Sequence, residues 1–206
     1  MARRTGDRAA VAPASTTRYL RPVHTWVVLL RGINVGGNNP VPMKALRVDL
    51  EAAGFEGVQT YIQSGNVVLR ASSTDAAEVS ARVADVIEER HGHRPATLAL
   101  AAPDLIAARD RNPFPESEEA PRHIHLFFLG SRPEEPDLEG LEAARSETER
   151  FQLDGRVFYL FAPDGIGRSK LAAKAERLLG VPATARNWRT VRKLCDMVDA
   201  EAQRTD

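Results

Sequence analysis

Cysteine is nearly absent from this chain: Cys195 is the only one in 206 residues. A single thiol excludes an intrachain disulfide framework and a multi-cysteine zinc site. Net charge is missing too. The 28 lysines and arginines balance 28 aspartates and glutamates, so no overall field draws the chain to nucleic acid or to an anionic membrane. Aromatic residues are scarce, at 6%. No apolar run approaches the roughly 20 residues that cross a bilayer as a helix. Arg3 and Arg4 are not followed by an apolar stretch, which argues against a secretory or twin-arginine signal. A cytoplasmic location without membrane attachment is expected.

What is present suits an ordinary globular protein, with 43% apolar and 27% charged residues. The length allows one large domain or two small ones with a sizeable core. Residues 1–22 stand apart, with five arginines against one aspartate and little periodicity. They read as a disordered basic arm.

The remainder falls into two stretches with the same order of elements. The first spans 23–102. Residues 25–31 read as a buried strand and 42–53 as an amphipathic helix, with Met43, Leu46 and Leu50 at helical spacing and Gly54 as its stop. VQTYIQSGNVVLR gives two strands joined at Ser64-Gly65. A helix over 75–90 and a strand over 96–100 complete a βαββαβ unit. The second stretch, 103–206, opens with a short helix and a polar loop. It continues with a strand at 123–129, a helix at 138–144, a hairpin around Asp154-Gly155, a helix at 169–179 and a last helix from about 186 to 200. The expected fold is α+β: two ferredoxin-like, split βαβ subdomains side by side, with an extra C-terminal helix.

That topology puts RGINVGGNN (31–39), QSGN (63–66) and HGHRP (91–95) at one end of a sheet. The first is no dinucleotide fingerprint, because its glycine spacing is wrong. Gly32 and Gly37 match the P-loop spacing, but Asn38 and Asn39 stand where a P-loop has Lys and Ser or Thr, so ATP hydrolysis is not expected. Glycines ahead of a helix can still turn backbone N–H groups towards an anion, or they can simply turn the chain.

The stretch from RGINVGG to TYIQSGN closely resembles the hallmark of the bacterial family called Domain of Unknown Function 1697. GIGRSKL (165–171) and ATARNWRTVRKL (183–194) resemble it as well, so the likeness runs over about 25–200. The resemblance implies two ferredoxin-like α+β subdomains and leaves the biochemical role unassigned.

In GIGRSK, Ser169 is a candidate helix cap beside Arg168 and Lys170. In TARNWRTVRK, Trp188, Val191, Cys195 and Val198 form an apolar helical stripe, and Arg186, Arg189 and Lys193 a basic one beside it. The expected ligand-binding set is Arg31, Gly32, Asn34, Gly36, Gly37 and Asn38 from the first loop, with Gln63, Ser64, Gly65 and Asn66 from the turn. Ser169, Lys170, Arg186 and Asn187 join it from the second half. His91/His93 and His123/His125 form two HxH pairs without further ligands nearby, and no metal site is expected. No catalytic residue or cofactor is indicated.

Three readings follow. The favoured one is a protein binding a small phosphorylated or otherwise anionic ligand in a polar cleft between its halves. The others are a nucleic-acid-binding module and a partner-binding protein without catalytic activity. The sequence does not fix the oligomeric state.

Overall fold

The computed structural model describes residues 23–204; the basic arm expected at 1–22 lies outside the described residues. The first half runs β1 (His24–Arg31), α1 (Met43–Ala52), β2 (Glu56–Tyr61), β3 (Asn66–Ala71), α2 (Ala76–His91) and β4 (Ala96–Ala101). Helix α3 (Ala102–Asp110) and two 3-10 turns then lead to the second half. It runs β5 (Ile124–Leu129), α4 (Leu138–Ala144), β6 (Arg150–Asp154), β7 (Val157–Phe161), α5 (Lys170–Leu179), β8 (Ala183–Asn187) and α6 (Trp188–Ala202). The architecture is mixed α+β, with two four-stranded antiparallel sheets ordered β2-β3-β1-β4 and β6-β7-β5-β8.

Local chemistry sets the boundaries. Asp75 caps α2 by accepting from the Ala77 N–H at 2.8 Å, and Gly92 ends it at φ +76°. Ser169 caps α5 through the Ala172 N–H at 2.9 Å, and Gly180 ends it at φ +71°. Both pairs follow the usual logic of a polar acceptor at the start and a left-handed residue at the stop.

Strand β1 is buried on both faces. Trp26, Val28 and Leu30 pack against α1 and α2, while Val27 and Leu29 face the other way. Alternation at period two makes this possible, and each fully buried aliphatic side chain contributes about 1.5–3 kcal/mol over exposure. The second sheet repeats the arrangement. Phe127 and Leu129 join a cluster with α4 and α5, while Ile124, Leu126 and Phe128 face away from it. The two inward faces meet in one central cluster that also contains Leu105 of α3 and Trp188, Val191, Leu194 and Cys195 of α6. Helix α6 touches strands of both sheets.

The sequence reading needs correction at two places. The last helix does not begin at 186: residues 183–187 form β8, the edge strand beside β5, and α6 begins at Trp188. Four of the five residues of this strand, ATARN, favour helix or loop by themselves. Pairing with the open edge of β5 overrides that preference, and the Asn187 side chain fixes the helix start by accepting from the Arg189 N–H. The strand expected at 123–129 begins at Ile124, so His123 lies outside it and only His125 belongs to β5. His123 closes a 3-10 turn and its Nδ1 lies 3.3 Å from the Ala162 carbonyl, whereas His125 is buried beside Asn187. No helix among the described residues is long and apolar enough to cross a membrane.

Candidate functional site

The loop after β1 is fastened mainly to itself. Gly32, Asn34, Gly36, Gly37 and Asn39 all have positive φ. Gly36-Gly37 turn a two-residue hairpin in which the Asn38 N–H donates to the Val35 carbonyl at 2.9 Å. Asn34 tolerates the left-handed region and uses its whole amide. Its Oδ1 accepts from the Val41 N–H at 2.8 Å, and its Nδ2 donates to the Val41 and Gln63 carbonyls at 3.0 and 2.9 Å. This one side chain therefore ties the loop to the β2–β3 turn. In that turn Ile62 is held at φ +47° with half of its surface exposed, an uncommon conformation for a β-branched residue. Gly65, at φ +74°, leaves no room for a side chain, because an added Cβ would lie 2.7 Å from Leu30 Cβ.

Arg186 reaches from β8 into this corner. Its Nε donates to Asn66 Oδ1. Its Nη2 donates to the carbonyls of Leu30 at 2.7 Å, Ser64 at 3.2 Å and Gly65 at 3.1 Å, and its Nη1 to Ala185 at 2.8 Å. Only 9% of the residue is exposed. All these acceptors are neutral, so the guanidinium is oriented without a counter-ion. Burial pushes its pKa down to about 10, which leaves it charged at neutral pH. Arg31 makes the reciprocal reach. Its Nη1 meets Glu176 of α5 at 2.7 Å and the Ala183 carbonyl at 3.1 Å. The two halves thus exchange arginines across their seam.

Between these groups lies a cleft of about 460 Å³. Arg31, Gly32, Asn34, Gln63, Ser64 and Arg186 of the expected set line it, joined by Val35, Thr184 and Ala185, which sequence reasoning missed. Among its lining residues there is no Asp, Glu, His, Cys or aromatic side chain. Gly65 and Asn66 sit behind the wall as acceptors for Arg186. Gly36, Gly37 and Asn38 are exposed and off the cleft wall. Ser169 and Lys170 line a separate depression of about 330 Å³ with Arg145, Glu149 and Arg168. Asn187 is occupied as the α6 cap, its amide donating to the Arg122 carbonyl at 3.0 Å.

HGHRP lies at the expected end of the sheet, since Ala96 pairs with Arg31. Its histidines do not line the cleft. His91 Nε2 meets Asp49 Oδ2 at 3.2 Å, and His93 Nδ1 lies 3.3 Å from the His91 carbonyl. Among the described residues no group of three or more His, Cys, Asp or Glu side chains is placed to hold a metal ion. Cys195 is buried, and burial pushes its thiol up to about 11, so it is a weak nucleophile.

Sheet order and seam together define a duplicated α+β protein whose halves meet at an arginine-walled cleft. The family model described as Protein of unknown function (DUF1697) matches residues 23–159. The chain belongs to that family. GIGRSKL and ATARNWRTVRKL lie beyond the matched segment. No curated protein matches the chain. Among solved structures, the conserved bacterial protein SP0830 from Streptococcus pneumoniae is similar with a TM-score of 0.62 and 24% identity, over 85% of this chain and 99% of that one. At that identity the likeness is one of fold.

Proposed function

We propose that the protein binds a small ligand bearing a phosphate or carboxylate group in the cleft between its halves. The observation that carries this reading is Arg186. A guanidinium nine-tenths buried and held only by neutral acceptors keeps its full charge, and a charge removed from water gains strongly from an opposite one. One of its Nη1 hydrogens is not used by the bond to Ala185, and the residue lines the cleft. Arg31, Ser64, Thr184 and Gln63 add donors around it.

The wall offers no acid or base to activate a hydroxyl, so the reading is one of binding, not of a reaction. It also lacks a ring for a base to stack on, which favours a small ligand over single-stranded nucleic acid. We read each half, 23–102 and 103–206, as a ferredoxin-like subdomain. The interleaved antiparallel strand orders support that reading. A cytoplasmic location accords with the chain's composition.

The test is thermal unfolding and calorimetric titration with inorganic phosphate, acetate and sugar phosphates at matched ionic strength. A ligand at about a hundred times its Kd should add roughly 2.7 kcal/mol. Arg31→Ala, which loses a half-exposed ion pair with Glu176 and the bond to the Ala183 carbonyl, should abolish the effect. Failure of every anion to stabilise the protein, or stabilisation that survives Arg31→Ala, would reject the reading.

A further inference from the structure

We propose that the seam contains a second anion subsite at Arg156, so that the ligand carries two anionic groups; this rests on the cleft reading above. Beyond Arg31 the cleft is adjoined by a chamber of about 540 Å³, which shares Arg31 and Thr184 with it. Arg156, just before β7, lines this chamber. Like Arg186 it is oriented by backbone carbonyls, although Arg156 is exposed where Arg186 is buried. Nε donates to the Leu129 carbonyl at 3.2 Å, and Nη2 to the Leu129 and Gly130 carbonyls at 3.1 and 2.9 Å. The neighbouring Asp154 is paired with Arg111 instead, at 3.6 Å. Arg156 is thus a second guanidinium oriented by neutral carbonyls, with its Nη1 left over from these bonds.

The one carboxylate on the chamber wall is Asp75, which caps α2 through the Ala77 N–H. Much of the remaining wall is alanine, with Leu98 and Pro182. Such a surface suits the uncharged middle of a ligand and provides no ring for a base. Arg186 and Arg156 therefore mark two fixed positive points along one seam, with Arg31 bordering both cavities. Each guanidinium keeps an Nη1 N–H outside these bonds, a charged donor at a fixed position for one oxygen of a phosphate or carboxylate. The ligand class is a small molecule with two phosphate or carboxylate groups joined by a short linker. Once one group is bound, the second binds intramolecularly at high effective concentration.

The experiment compares orthophosphate with tripolyphosphate by calorimetric titration of the full chain, at constant ionic strength and without divalent cations. Wild type should bind tripolyphosphate at least about tenfold more tightly. Arg156→Gln, which keeps an amide donor for the Leu129 carbonyl but no charge, should bring that ratio close to one. Its melting temperature, measured alongside, establishes that the variant is folded. Equal affinities in wild type, or a ratio that persists in Arg156→Gln, would overturn the second subsite. Phosphate binding lost in Arg31→Ala would then leave the cleft reading standing. Absence of binding by either anion would overturn both.

Discussion

Replacing Arg186 by methionine tests whether the seam is fastened as described. Methionine fills much of the same volume but donates nothing. The Gly65 carbonyl keeps the Leu30 N–H at 2.8 Å, and the Ser64 carbonyl belongs to an exposed residue at the cleft, where water can replace the lost donor. The Leu30 carbonyl and Asn66 Oδ1 belong to residues that are at most 1% exposed and lose a charged donor. At about 1–3 kcal/mol for each buried acceptor left unsatisfied, the loss is about 2–6 kcal/mol. Relief of the buried charge offsets part of it, so about 3 kcal/mol is expected. Against a total stability of about 5–15 kcal/mol for a domain, urea unfolding would register this as a clear fall in midpoint. Arg186→Lys keeps the charge on a single nitrogen instead of a fork and should lose less. A loss under about 1 kcal/mol for Arg186→Met would refute the reasoning, since it would mean that the corner rehydrates at no cost.

Gly65→Ala should destabilise by more than about 1 kcal/mol in the same assay, because the position combines φ +74° with Leu30 Cβ at 2.7 Å from the new methyl. Ser169→Ala should cost about 1 kcal/mol through the lost cap on the Ala172 N–H, with no effect on phosphate binding in the cleft. His125 supplies a pH dependence. Burial lowers its pKa from the ordinary 6.5, so the unfolded chain takes up a proton at a pH where the folded one does not. The stability it contributes is complete above about 6.5 and declines as pH falls below that value. His125→Asn should flatten this part of a stability–pH curve measured by urea unfolding, and an unchanged slope would count against the buried neutral histidine.

Much of the frame was legible because local and tertiary signals agree there. Asp75 starts α2 with a side-chain acceptor and Gly92, lacking a Cβ, takes the left-handed stop, and Asp154-Gly155 turns the β6–β7 hairpin. Strand β8 was hidden because an edge strand of five residues, rich in alanine, takes its conformation from a partner about 60 residues earlier. The site was half legible. Glycine, asparagine and arginine marked the right corner, but the sequence could not tell a side chain that faces a ligand from one that fastens a loop. Asn34, Asn66 and much of Arg186 serve the fold. Thr184 stood unremarked inside ATARNWRTVRKL, and Glu176 and Arg156 carried no motif at all; only the folded chain brings them to the seam.

The central cluster has a consequence for how this architecture can be taken apart. A repeated unit suggests a module that survives alone, like a bead cut from a string. Here the face formed by Val27, Leu29, Val68 and Leu100 is covered by residues that follow it in the chain, many of them in α6. A fragment ending at residue 102 would expose that face as an oily slab, which stays unsheltered until α6 has been synthesised. Duplication of the strand order has therefore not produced two independent folding units. The two copies should melt in a single calorimetric transition, whose enthalpy counts the whole chain and not one half of it.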